Sequence, residues 1–131
     1  MRAVALMLIG LFIGVLGAVA GMGALRQGTP YSHAVMGVLS QQMGGLRAMR
    51  ESNRCDVAES TRRIGIMAAV AQDTDVAFLP VGDDELFKRH SSAMREQLAQ
   101  SLASPAADCA ALATTMGAIG STCKACHDDF R

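Results

Sequence analysis

Apolar residues recur along this chain at steps of three and four, and the pattern separates an almost wholly apolar start from four amphipathic stretches. Thr29-Pro30 reads as an N-cap followed by Pro at the first helical position, opening a helix to about Met49. Its apolar face is Met36, Leu39, Met43 and Leu46. Glu51 to Arg54 is a short polar turn. A second helix runs from about Asp56 to Gln72, with Val57, Ile64, Met67 and Ala71 on one side. Asp73 to Gly82, which holds Pro80 and Gly82, reads as the longest loop. Asp83 or Asp84 opens a third helix, on which Leu86, His90, Met94, Leu98 and Leu102 recur at four-residue steps. Ser104-Pro105 repeats the cap-plus-proline device and starts the last helix. There Cys109, Leu112, Met116, Ile119, Cys123, Cys126 and Phe130 form an unbroken seam of three- and four-residue steps. No strand pattern competes. Short links make successive helices antiparallel, so the expected fold is all-α, an up-down-up-down four-helix bundle with an N-terminal apolar helix.

That apolar start is a run of 23 uncharged residues, Ala3 to Leu25, between Arg2 and Arg26. It is long enough to cross a bilayer as a helix. It also reads as an export signal, with Ala18-Val19-Ala20 as a small-residue cleavage site. Ordinary signal cores are shorter, which favours an uncleaved anchor in the inner membrane. The Gly10-to-Gly14 and Gly17-to-Gly21 spacings suit close approach of two such helices, so a homodimer is among the expected assemblies. Residues 1–26 are thus signal or anchor, and 27–131 form one folded domain outside the cytoplasmic membrane.

Composition narrows the function. Downstream of Arg26 there are ten basic and twelve acidic residues, with no basic stripe, so nucleic acid is not an expected partner. Aromatic residues are few and Met is plentiful, at nine. Such a core is filled either by Ala, Leu, Val and Met alone or with a flat apolar cofactor. No Ser/His/Asp set, paired catalytic carboxylates or phosphate-cradling loop appears, and no enzyme is expected.

The sharpest signal is Cys123-Lys124-Ala125-Cys126-His127, the C-x-x-C-H pattern of covalent haem attachment. On a helix these two thiols and the imidazole fall within an arc of roughly 100°. Both sulfurs can then add to haem vinyl groups while His127 reaches the iron. A thioredoxin-like dithiol needs a βαβ setting that is missing here. A zinc site at these three residues lacks a second ligand pair at the usual spacing.

A four-helix chain ending Cys-Lys-Ala-Cys-His-Asp-Asp-Phe-Arg strongly resembles the class II c-type cytochromes, the cytochrome c-prime family, from about Tyr31 to Arg131. The resemblance implies a bacterial periplasmic protein with one haem c per chain, which transfers electrons to redox partner proteins or binds nitric oxide or another diatomic gas. Arg131 matches a basic position flanking the proximal haem face in that family. In the expected bundle the first helix starts where the fourth ends, so Met36 lies level with His127. Family members carry there either an apolar residue or an iron-ligating Met, and Ala34-Val35-Met36 resembles the low-spin, Met/His-ligated members. The plainer reading of Met36 is a core methionine.

His33, one turn before Met36, competes as the ligand. Family members commonly have Arg-Gln where this chain has Ser32-His33, a departure that removes the usual polar contacts to the haem. Met43 reads as core and His90 as a satisfied core histidine. The remaining function class is a membrane-anchored bundle whose thiols bind metal or pair. Cys55 begins the second helix and Cys109 lies one turn into the fourth, at the same end of the bundle and far from His127. Outside the cytoplasm a Cys55–Cys109 disulfide is expected, against the alternative of two buried free thiols.

Overall fold

The computed structural model describes Met7, residues 10–18 and residues 30–130. The chain divides into two units, Met1–Pro30 and Tyr31–Arg131. In the first, residues 10–18 are helical. The rest of the expected signal or anchor, Val19 and Ala20 of its cleavage site and the Thr29 cap lie outside the described residues. Among the described residues, no helix is long and apolar enough to cross a membrane.

The second unit is a four-helix bundle: α1 (Tyr31–Glu51), α2 (Val57–Val70), α3 (Glu85–Ala103) and α4 (Cys109–Phe130). Each boundary has a local cause. The Ncap Asp56 accepts the Glu59 N–H at 2.7 Å. Asp84 accepts those of Leu86 and Phe87 at 2.7 and 3.1 Å, and Asp108 accepts that of Ala111 at 2.8 Å. A short side-chain carboxylate thereby satisfies N–H groups that the first helical turn leaves unpaired. α1 stops because Asn53 turns into the left-handed region at φ 51°. This lets the Arg54 N–H reach the Met49 carbonyl and the Asn53 N–H the Arg50 carbonyl, both at 3.0 Å. Those two bonds make a Schellman stop.

Long-range ties establish the directions of the helices. Tyr31, at the start of α1, donates its hydroxyl to Asp73 just past α2, at 2.6 Å. His90, near the start of α3, meets Asp129 at the end of α4. Cys55 before α2 is bonded to Cys109 at the start of α4, with Cα atoms 5.2 Å apart. Successive helices are therefore antiparallel. α1 and α3 each pack on α2 and α4, around a core that includes Leu46, Ile64, Met67, Leu98, Leu112 and Ile119.

Four details depart from the periodic reading. On α3 the buried face is Phe87, Ser91, Met94, Leu98 and Ser101. Leu86 is 37% exposed, because a mixed three- and four-residue step tracks the 3.6-residue turn and a pure four-residue step drifts off it. On α2 Ser60 takes the buried place expected of Val57, which is 41% exposed. Ser104-Pro105 does not open α4. Pro105 sits in the link, Ala106 is buried, and the helix starts at the Asp108 cap. The expected loop from Asp73 to Gly82 carries short helical pieces, Ala71–Asp73, Thr74–Ala77 and Val81–Asp83.

That last segment is closely folded at Gly82, which is buried. A Cβ there would collide with the Asp75 backbone carbonyl. Since backbone cannot swing aside as a side chain does, Gly82→Ala is expected to destabilise the protein by about 1–3 kcal/mol. Urea unfolding would show the loss as a lower midpoint, and an unchanged midpoint would contradict it.

Candidate functional site

α4 remains helical through Phe130, so Cys123, Cys126 and His127 keep the common face their spacing implies. Cys123 and Cys126 are half-buried and not bonded to each other. His127 is exposed at the rim. All three line a cavity of about 510 Å³ between the helices, within the usual range for a cofactor pocket.

The cavity wall is rich in sulfur and hydrocarbon. Met36, Leu39 and Met43 come from α1, Met67 from α2, Met94 from α3 and Met116 from α4. Met36 is half-buried and faces the same space as His127. Met43 also lines this wall as well as packing on the core. His33 is exposed and lies off the wall. Arg131 lies outside the described residues.

Glycine makes part of the room. Gly44 on α1 and Gly120 on α4 both line the cavity, and a Cβ at either would meet nothing within 4 Å. A glycine inside a helix costs roughly 1 kcal/mol relative to Ala. Here it leaves open space facing the two thiols, a shape suited to a broad flat group such as haem. Glycine inside a helical period was the one sequence signal that could have flagged these positions. Met67, Met94 and Thr74 carried no such signal.

His90 is satisfied, but at the cavity wall and not in the core. Its Nε2 lies 2.8 Å from Asp129 Oδ2. The Phe130 ring stands edge-on to both His90 and Phe87, with centroids 6.2 and 5.3 Å away. These contacts pin the last turn of α4 onto α3 and so hold His127 in place.

The electrostatics bear on the rival readings. Burial pushes the Cys123 thiol above its ordinary pKa. Burial, then Cys123 and Asp129, do the same to Cys126. A redox dithiol needs the opposite shift, toward the thiolate. Among the described residues, no three His, Cys, Asp or Glu side chains gather to hold a metal ion by themselves. Cys55 and Cys109 form their bond at the other end, about 27 Å along α4 from His127.

Comparison with known proteins agrees with this geometry. A family model described as cytochrome C' matches residues 82–131, which include the whole of α3 and α4 with Cys123, Cys126 and His127. The cytochrome c' of Halomonas halodenitrificans is 29% identical over 123 residues, spanning 77% of this chain and 92% of that protein. The solved structure of cytochrome c' from Rubrivivax gelatinosus superposes with a TM-score of 0.64 at 20% identity, covering 77% of this chain and 91% of that one. That structural likeness shows the four-helix-bundle fold.

Proposed function

We propose that this relative of the cytochrome c' proteins is a one-electron carrier holding a single haem c between His127 and Met36, and that it works outside the cytoplasmic membrane with redox partner proteins. The observation that carries the reading is that one cavity is lined by both thiols of the Cys-x-x-Cys-His motif, by its imidazole and, from another helix, by a half-buried thioether.

Each residue has a chemical task. Cys123 and Cys126 each add a sulfur and a hydrogen across a vinyl double bond, giving two thioethers with no change in electron count. His127 supplies a nitrogen ligand on the adjacent turn, oriented by the His90–Asp129 and Phe130 contacts on α3. Met36 supplies a soft sulfur ligand, which favours reduced iron and raises the potential. The wall of Leu and Met side chains excludes water. The bound iron supplies the one-electron exchange.

The visible spectrum tests this. Low-spin bands and a sulfur-to-iron charge-transfer band are expected in the oxidised protein, and Met36→Ala should abolish both. A plainly high-spin wild type that binds nitric oxide would replace electron transfer by gas binding at five-coordinate iron.

A further inference from the structure

We propose that Arg47 anchors a haem carboxylate at the end of the cavity away from His127. This inference rests on the haem reading above and concerns a residue that no motif marks.

The cavity is elongated. Met36 and Arg47 lie 11 residues apart on α1, and Met116 and His127 lie 11 apart on α4. The wall therefore runs about 16 Å along each helix. α1 and α4 are antiparallel, with Met36 at the His127 end, so Arg47 and Met116 share the opposite end.

Haem has a direction too. Its two carboxylate arms leave the edge opposite the rings that carry the vinyl groups. Thioethers at Cys123 and Cys126 hold the vinyl edge on the last turns of α4 and send the carboxylates away from them. Sideways, the wall offers Leu39, Met67 and Met94, where an ionised carboxylate would lose its water without compensation. Lengthwise it offers the Arg47 guanidinium, on an exposed side chain at the cavity mouth.

That charge is uncommitted. The ion pairs of the bundle engage Arg62 and Arg63 with Glu59, Lys88 with Glu85, Arg95 with Asp75 and Lys124 with Asp128. Arg47 joins none among the described residues. Even Glu51, at the four-residue spacing where helical ion pairs form, does not pair with it. Arg63, on α2 against α1, is held by Gln42 and Glu59. The other ionisable side chains of the wall have tasks: His90 on Asp129, His127 on the iron and the two thiols on the vinyl groups. Arg47 is thus the one fixed cation on the wall among the described residues. A guanidinium meets a carboxylate with two parallel N–H donors, a bond stronger than neutral pairs and specific in geometry.

The test uses the full-length holoprotein and reads the haem carboxylate directly. Its resonance Raman spectrum contains a bending mode of the carboxylate arms, which rises in frequency when a donor binds the carboxylate. Arg47→Met keeps the stem and the helix preference and removes both charge and donors. Its bending mode should shift down. Its midpoint potential should also fall, because loss of a nearby positive charge favours ferric iron. Arg47→Lys keeps the charge, so its potential should stay near wild type. Arg50→Met removes a charge from an exposed position off the wall and should change neither reading. A bending mode unmoved in Arg47→Met overturns the proposal, whatever the potential does. So does an Arg50→Met variant that matches Arg47→Met in both readings. A colourless wild-type protein would instead overturn the haem reading itself.

Discussion

The full-length chain carrying Cys123→Ala and Cys126→Ala together is expected to contain no covalently bound haem. The wild type should gain the mass of one haem over its polypeptide. The double variant should show the bare polypeptide mass. Acid-acetone extraction separates covalent attachment from simple fit. His127 and the methionine-lined cavity are untouched by these substitutions and can still hold haem without a bond, so colour alone is not the readout. Extraction should strip the variant and leave the wild type coloured. Each single substitution removes one thioether and leaves the other thiol on the cavity wall, so attachment through one bond is expected. Wild-type protein that loses its haem on extraction would remove the basis of the proposed function, whatever its spectrum.

The second large effect concerns the far end of the bundle. Reducing the Cys55–Cys109 bond, or replacing both residues by Ser, should cost about 4 kcal/mol of stability. The two residues are 54 apart in sequence, and freeing a loop of that size restores considerable entropy to the unfolded chain. For a domain whose total stability is on the order of 5–15 kcal/mol, that is a large share. It should lower the thermal midpoint by about 20 °C. Thermal scans with and without reductant measure it directly, since thioethers to haem resist reductant. The haem spectrum of the variant with Ser at both positions, compared with wild type at the same iron oxidation state and well below the melting point, should be unchanged, because the bond is about 27 Å along α4 from His127. A drop in midpoint of only a degree or two would show that the crosslink has little hold on the unfolded chain.

Both effects arise from features of different legibility in the sequence. The Cys123-x-x-Cys126-His127 motif is local: five consecutive residues on one helix determine their own geometry, and nothing distant is needed to see it. The four main helices were legible for a similar reason, since each carries enough periods of apolar residues to reveal its face. The Asp56 and Asp84 caps lie where carboxylates precede those runs. The pairing of Cys55 with Cys109 needed one step more, the antiparallel order that short links impose on successive helices.

Where two local signals compete, the sequence alone chose badly. Ser104-Pro105 resembles a helix start, yet Pro105 lies in the link and the N–H of Ala111 is capped by Asp108. Leu86 and Phe87 are adjacent apolar residues, and only packing against Phe78 and Phe130 selects Phe87 for the core. The short helical pieces between Ala71 and Asp83 are too brief to leave a periodic trace.

What the sequence by itself determined was the fold class, the four helices and the shared face of Cys123, Cys126 and His127, because each is written in contiguous residues and repeating steps. Only the tertiary structure decided that Met36 shares a cavity with His127, that Gly44 and Gly120 open that cavity, and that His90 steadies α4 through Asp129. These are relations between residues distant along the chain. They exist once burial of the shared apolar faces has set how the helices pack, and no local spacing records them.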